Sequence, residues 1–158
     1  MTRKTYKQLA AEAAERIKEI MPWDVSDILT THKDALLLDI RERSEFAQAR
    51  IAGALNVPRG VLESAAEWDY AETEPALVTA RNSPVVVICR SGNRSALAAE
   101  VLAEIGFTNV CSVKLGIKGW NDADLDLVDE AGVAIDGDDA VDMIELQPRP
   151  EQIDPARR

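Results

Sequence analysis

The sequence predicts an α/β fold built on a mostly parallel β-sheet. Short apolar runs, typical of strands buried on both faces, alternate with helical segments and are separated from them by short turns. The strongest strand signal is a run of four consecutive β-branched residues at 85–88, which follows Pro84. With 158 residues, of which 46% are hydrophobic and 29% charged, the chain has the size and composition of one globular domain.

The individual elements are predicted from their periodicity. Residues 7–20 carry apolar positions three or four apart, which indicates an amphipathic helix, and Pro22 ends it. Gly106 ends the helix predicted at 95–105. The remaining predicted elements are helical turns at 26–31 and 43–49, strands at 35–40, 54–57 and 110–113, mixed helix and loop at 61–80, and a short helix at 117–121.

The net charge of −10 is concentrated in one segment. Ten of the 28 acidic residues lie in 121–148, which holds no Lys or Arg, so the rest of the chain balances 18 acidic against 18 basic residues. Because there is no basic excess, nucleic acid is not expected as a partner.

No stretch approaches the roughly 20 apolar residues that cross a bilayer, and no apolar signal-peptide core is evident, so no membrane is expected and a cytoplasmic location is predicted. In that reducing compartment the two cysteines are expected to be free thiols.

A predicted strand, loop and helix at 85–105 carry the residues best suited to catalysis. Ligands of open α/β sheets bind at the carboxyl ends of strands, and Cys89 stands at such an end. Gly92 and Asn93 tolerate the backbone angles that let several loop amides point inward. The N-terminus of the following helix adds partial positive charge, and Arg90 and Arg94 add two full charges. The loop reads Cys89, Arg90, Ser91, Gly92, Asn93, Arg94 and Ser95.

This environment makes Cys89 the predicted nucleophile, because it favours a thiolate over a thiol. Inward-facing amides would also stabilise a negatively charged sulfur atom added to Cys89. The alternative is a structural cysteine buried at a strand end. Such a residue does not need two arginines and a glycine turn beside it.

The loop resembles the active-site loop of the rhodanese-like sulfurtransferases. Residues 38–46, leading to 51–58, look like the N-terminal signature of that family. Residues 106–110 and 116–120 look like its C-terminal signature. The resemblance spans about residues 24–121, and three ordered segments make it more specific than the loop alone.

The resemblance implies a five-stranded, mainly parallel sheet flanked by helices, which occupies residues 24–121 between an N-terminal helix at 1–23 and an acidic C-terminal extension at 122–158. It also implies a thiosulfate sulfurtransferase-type enzyme in which catalytic Cys89 takes the outer sulfur of a small anionic donor such as thiosulfate. The resulting persulfide passes that sulfur to an acceptor such as cyanide or a thiol. Arg90 and Arg94 would bind the anionic donor, and the loop amides would hold the transferred sulfur. The substrate-binding residues are then Arg90, Ser91, Gly92, Asn93, Arg94 and Ser95. Neither a cofactor nor a metal is expected.

Other functions fit the same residues less well. Cysteine phosphatases use a Cys-x5-Arg loop, one residue longer than the Cys-x4-Arg spacing of Cys89 and Arg94, and no general acid is evident here unless Asp39 lies near the site.

The main alternative is a persulfide carrier that receives sulfur from a partner protein and has little activity on thiosulfate. Its docking surfaces would be the N-terminal helix and the acidic segment. A purely structural module is disfavoured because the nucleophile is present.

Several other residues receive structural interpretations. His32, the only histidine, is expected on the surface. Cys111 is expected in the core, with the alternative that it forms a disulfide with Cys89 to resolve the persulfide. Arg41 and Glu45, four positions apart, are expected to form an ion pair.

Two residues depart from the family pattern: Arg50 replaces a usual His, and Leu115 replaces the first of two common glycines. They are expected to affect local packing and substrate preference rather than mechanism. Trp120 either packs against the sheet or borders the pocket.

The acidic segment is interpreted as a solvated extension. The spacing of Asp122, Asp124 and Asp126 resembles the start of a calcium-binding loop. Counted from Asp122, however, Leu127 occupies the sixth position, where such a loop needs glycine. The apolar stretches at 132–135 and 141–146 are predicted to pack as a strand or hairpin, or else to mediate formation of a homodimer. Residues 148–158 are predicted to be a loose tail.

Overall fold

The computed structural model describes residues 2–158 and contains a five-stranded sheet with helices on both faces. The helices are α1 (Tyr6–Arg16), α2 (Val25–Thr31), α3 (Arg43–Gln48), α4 (Leu62–Ala65), α5 (Pro75–Val78), α6 (Asn93–Glu104), α7 (Gly116–Asp122) and α8 (Gly137–Ile144). The strands are β1 (Lys18–Ile20), β2 (Leu36–Asp39), β3 (Leu55–Asn56), β4 (Pro84–Ile88), β5 (Asn109–Val113), β6 (Leu127–Val128) and β7 (Ala134–Ile135). Short 3-10 turns lie at Pro22–Asp24, Arg59–Val61, Pro150–Gln152 and Pro155–Arg157.

The main sheet has the order β1-β5-β4-β2-β3, and every neighbouring pair is parallel. β4 lies at its centre, where its β-branched residues are buried on both faces. The predicted fold class is therefore confirmed, including the number of strands. The carboxyl end of β4, where ligands of such sheets bind, leads directly into the loop that begins at Cys89.

The first predicted helix is wrong at its end. α1 stops at Arg16, Ile17 is extended, and β1 pairs with residues 111–113 of β5. The apolar spacing of Ile17 and Ile20 continues the helical pattern, but these residues serve the edge of the sheet instead. The sheet thus begins before residue 24, and the predicted domain boundaries stay a prediction.

Alternate side chains of β4 enter two separate core layers. Val85 and Val87 pack with residues of α4, α5 and α6 on one face of the sheet. Val86 and Ile88 pack with residues of α2, α7 and α8 on the other. Both layers extend to the end of β4, so the loop after it starts from a rigid base.

The acidic segment is folded against this second layer. β6 and β7 form an antiparallel hairpin, and α8 buries Ala140 and Ile144. Of the two stretches predicted to pack as a strand or hairpin, residues 134–135 form a strand, but it pairs with β6; residues 141–144 are helical, because Ala140 and Ile144, four positions apart, share one buried face. Within residues 2–158, no helix is both long and apolar enough to cross a bilayer, and the cytoplasmic location stays a prediction.

Candidate active site

Cys89 follows β4 directly, and a tight loop connects it to α6. Gly92, which precedes α6, adopts a left-handed backbone with φ of +96°. A Cβ atom on Gly92 would lie 3.0 Å from the backbone nitrogen of Leu115, so the loop has room only for glycine here. The turn at Gly92 brings the chain back over the Cys89 side chain.

Two backbone amides of this loop point at the Cys89 sulfur. The N–H of Gly92 donates to Sγ at 3.1 Å, and the N–H of Ser95 donates to it at 3.2 Å. Cys89 has no exposed surface, so these donors act where bulk water does not compete. They would stabilise negative charge on Sγ or on a sulfur attached to it. Burial alone would suit a structural cysteine, but a structural thiol does not require two amide donors.

A buried pair of serine hydroxyls lies behind this sulfur. Ser95 Oγ and Ser112 Oγ are 2.7 Å apart, and Ser95 Oγ also donates to the carbonyl oxygen of Gly92 at 3.2 Å. The distance from Cys89 Sγ to Ser95 Oγ is 3.3 Å. Because a hydroxyl both donates and accepts, Ser95 can accept a hydrogen bond from the thiol or donate one to the thiolate.

The first turn of α7 holds the loop from the outside. The N–H of Ile117 donates to the carbonyl oxygen of Cys89 at 2.8 Å, and the N–H of Lys118 donates to that of Arg90 at 3.0 Å. Gly116 comes so close to the backbone of these two loop residues that a Cβ atom on it would overlap them. With its carbonyls bonded to α7, the loop can turn its amides toward the sulfur.

The two loop arginines have different surroundings. Arg94 donates to both carboxylate oxygens of Glu45, at 2.8 and 2.9 Å, and these hydrogen bonds raise the pKa of Arg94. Arg90 is half-buried, and no carboxylate of residues 2–158 lies within 4.0 Å of its guanidinium. Arg90 is therefore better placed than Arg94 to offer its charge to an anion.

The predicted ion pair between Arg41 and Glu45 is wrong. The guanidinium of Arg41 donates to both carboxylate oxygens of Asp39, at 2.8 to 3.1 Å, and to the carbonyl oxygen of Ala49 at 2.7 Å. The Arg41 and Asp39 side chains are both buried. Asp39 is thus engaged on both oxygens and is not placed to protonate a leaving alkoxide, as a phosphatase mechanism would require.

Cys111 is a core residue, as predicted. It is opposite Val86 in the register of β4 and β5, and its side chain enters the other core layer from that of Cys89. Cys89 lies three residues after Val86, just beyond the end of β4, so the Cα atoms of Cys89 and Cys111 are separated by roughly 10 Å, too far for a disulfide. Burial raises the pKa of the Cys111 thiol to about 11, which keeps it unreactive.

The structure also shows where His32 and Trp120 lie. His32 is exposed, as expected. Trp120 packs in the core against the sheet, and its Nε1 donates to the carbonyl oxygen of Asp126 at 2.9 Å.

The residues that depart from the family pattern have local roles. Arg50 lies over the ring of Phe46, 4.1 Å from its centroid, and its backbone pairs with Val128 of the hairpin. Leu115 holds a left-handed backbone with φ of +70° and is 48% exposed, while Gly119 leaves room for its Cβ. A left-handed leucine costs about 1–2 kcal/mol relative to the right-handed region.

Of the six loop residues predicted to bind substrate, Gly92 and Ser95 contact the Cys89 sulfur, Arg94 is turned to Glu45, Ser91 is exposed, and Arg90 and Asn93 are half-buried. Three further residues that shape the site were not predicted: Glu45, Ser112 and Gly116. Gly116 stands in a stretch that resembles the family signature, so its position offered a signal. Glu45 and Ser112 reach the loop through tertiary contacts from α3 and β5, which sequence spacing does not reveal.

Comparisons with known proteins show which family this chain is similar to. Residues 22–123 match the family model of the rhodanese-like domain. A thiosulfate sulfurtransferase, GlpE, of Actinobacillus succinogenes is 32% identical to the chain over 118 residues, which cover 73% of this chain and 94% of that protein. YrkF of Bacillus subtilis, for which a sulfur-carrier role is proposed, is 29% identical over 70% of this chain and 55% of its own length.

A solved structure from Rhodopseudomonas palustris superimposes with a TM-score of 0.69 at 25% identity, covering 78% of this chain and 94% of that one. That protein is described as of unknown function and as a possible tyrosine phosphatase. The family model covers well over half of the chain, and the GlpE relative extends across most of it. This chain belongs to the rhodanese-like domain family, and the relatives it resembles include a thiosulfate sulfurtransferase and a protein named as a sulfur carrier.

Proposed function

We propose that this chain is a sulfurtransferase that moves a sulfane sulfur through a persulfide on Cys89. The observation that carries the proposal is the pair of amides, from Gly92 and Ser95, that both donate to the Cys89 sulfur. Two donors suit a single anionic sulfur atom. The Cys-x4-Arg spacing of Cys89 and Arg94 is also one residue shorter than the loop with which cysteine phosphatases surround a phosphate.

In the first step the Cys89 thiolate attacks the outer sulfur of a donor such as thiosulfate. A new S–S bond forms to Cys89, the S–S bond of the donor breaks, and sulfite leaves with the bonding electron pair. The amides of Gly92 and Ser95 then stabilise the negative charge of the persulfide. Arg90, which has no carboxylate partner in the described part of the chain, would attract the anionic donor.

In the second step an acceptor attacks the outer sulfur of the persulfide. Cyanide would leave as thiocyanate and a thiolate as a new persulfide, and in both cases the electron pair of the broken bond returns to Cys89 as thiolate. The amides that held the persulfide charge are already in place to receive it. No external oxidant or reductant is needed.

Intact mass spectrometry tests the proposal. Protein incubated with thiosulfate should gain the mass of one sulfur atom, and a second incubation with cyanide should remove it. Cys89→Ser should gain none, because a hydroxyl does not form the persulfide. Cys111→Ser is the matched control, since Cys111 is a buried thiol remote from the loop, and it should react like the wild type. No gain of mass in the wild type, or transfer to cyanide by Cys89→Ser, would contradict the proposal.

A second candidate is a persulfide carrier that receives its sulfur from a partner protein. The role proposed for YrkF favours it, as does the complete burial of Cys89, which limits access by free donors. A pull-down combined with persulfide labelling separates the two functions. Labelling of Cys89 that requires a partner, without turnover of thiosulfate, would select the carrier.

A further inference from the structure

Helix α1 runs parallel to α6, and its first turn lies at the Cys89 loop. Arg16, in the last turn of α1, pairs with Glu100 of α6 at 3.0 Å. At the other end, Lys7 lines a cavity of about 230 Å³ together with Ser91 and Asn93 of the loop. The start of α1 therefore sits beside the loop, and its end lies toward the far end of α6.

Tyr6 is the first residue of α1. Helical Cα–Cβ bonds tilt toward the helix N-terminus, so its side chain extends past the helix start on the side of the loop. The first turn is fixed by reciprocal hydrogen bonds between Thr5 and Gln8, at 2.9 and 3.1 Å. Tyr6 remains 55% exposed, so its ring is not a core residue and a ligand can reach it.

Tyr6 lies one helical turn before Ala10, a buried residue that lines the same cavity as Ser91 and Asn93, so its side chain is on the face of α1 turned toward the loop. Burial raises the pKa of the Tyr6 phenol, and the negative charge of Cys89 raises it further. Arg94, Arg59 and Arg90 oppose these effects. The phenol of Tyr6 thus interacts electrostatically with the sulfur and with these three arginines. Because its pKa is above the ordinary value of 10.0, the hydroxyl keeps its proton at neutral pH and can donate it in a hydrogen bond.

We propose that Tyr6 is a substrate-contacting residue whose hydroxyl donates a hydrogen bond to the anionic sulfur donor bound over Cys89. This inference rests on the proposed sulfurtransferase function. Arg94 is neutralised by Glu45, so a neutral donor from α1 supplements the charge of Arg90 at the mouth of the loop. The helix that precedes the sheet then contributes to donor recognition as well as to packing.

Single-turnover kinetics provide the first test, with thiosulfate as the donor and intact mass as the readout. Tyr6→Phe keeps the ring and removes the hydroxyl. It should lower the second-order rate constant of sulfur gain roughly tenfold, the worth of one hydrogen bond to a charged group, mainly through weaker apparent affinity for thiosulfate. Tyr70→Phe is the matched control, because Tyr70 is 57% exposed and lies near Ile105, at the other end of α6. A Tyr6→Phe variant that reacts as fast as Tyr70→Phe overturns the inference.

A second test does not depend on sulfur transfer. The chain has two tyrosines, so Tyr70→Phe leaves Tyr6 as the only group reported by tyrosinate absorbance. Adding Cys89→Ser should lower the Tyr6 pKa, since a neighbouring negative charge is removed. Thiosulfate added to that double variant should raise it again, because a bound anion disfavours the phenolate. Absence of both shifts overturns the inference. If the wild type gains no sulfur while both shifts occur, the proposed function fails and the Tyr6 contact stands.

Discussion

Glu45 determines whether the positive charge of Arg94 is available to an anionic donor. The sequence predicts that Arg94 binds the anionic donor and that Glu45 pairs with Arg41, four positions earlier. The spacing rule applies inside a helix, but Arg41 precedes α3, which starts at Arg43. Glu45 is therefore free to reach Arg94, 49 residues away in sequence, and the pair fixes the start of α6 to α3. At the level of single residues, the loop and its nucleophile are predictable from local chemistry, but the partner of each charge depends on the tertiary fold.

Glu45→Gln should destabilise the protein by about 1 kcal/mol at pH 7, because the pair is only partly buried and glutamine keeps one acceptor for Arg94. Burial alone would raise the pKa of Glu45, but the hydrogen bonds and charge of Arg94 outweigh it, and the pKa falls below the ordinary 4.5. A carboxyl with a lowered pKa contributes its stability above the unfolded-state pKa and loses it as the pH falls through the folded-state pKa.

Urea unfolding at several pH values checks this prediction. The difference between wild type and Glu45→Gln should be complete at pH 7 and vanish at acidic pH below the pKa of the folded Glu45. Glu72→Gln, at an exposed loop position, is the control and should show little difference at any pH. A difference for Glu45→Gln that does not change with pH would mean that the charge pair is not its origin.

At the scale of elements, β1 departs from the apolar periodicity of its sequence, whereas α8 follows it. The spacing of Ile17 and Ile20 fits a helix, but β5 offers an unpaired edge that the sheet completes with β1. In the acidic segment Ala140 and Ile144 lie four positions apart on one face of α8 and are buried, although carboxylates surround them in the sequence. Local pattern predicts the central elements well because both of their faces are buried. It fails at the edges, where a distant strand or core surface decides the outcome.

Ile144→Ala should lower the free energy of unfolding by about 2–4 kcal/mol, because it removes a buried side chain and leaves a cavity. Ile144 is 3% exposed and packs in the same core layer as Ile88 and Ile117. Leu146→Ala, at a residue 64% exposed just beyond α8, should cost less than about 0.5 kcal/mol. Chemical denaturation of both variants gives the comparison. Equal and small effects would show that α8 is detached from the core in solution.

On the scale of the whole molecule, the two core layers connect all parts of the chain. β1 joins the sheet from the N-terminal side, and α8 packs into the layer that contains β4 and β5 side chains. The acidic segment is therefore part of the folded body up to Ile144, although its charge predicted a solvated extension. Cys111 is buried in this shared layer and pairs with strands on both sides, so the reactivity of its thiol reports whether the structure has opened.

Alkylation of Cys111 should follow global unfolding. In the Cys89→Ser variant Cys111 is the only thiol, 6% exposed, with a pKa of about 11 caused by burial. Its reaction with iodoacetamide should be slow in buffer and should accelerate with urea in parallel with loss of circular dichroism. Rapid alkylation without denaturant would show that β5 opens locally and that the two layers are not one cooperative unit.

The strand order has a consequence for synthesis of the protein on the ribosome. β1 emerges early, but its only neighbour in the sheet is β5, which ends at Val113. Until that residue has left the exit tunnel, β1 has no strand to pair with, and α1 can be held only by its packing against α6. The core layer that buries Cys89 also contains Phe107 and Val110, so it is complete only after β5 has emerged, and until then the nascent thiol is more open to oxidants.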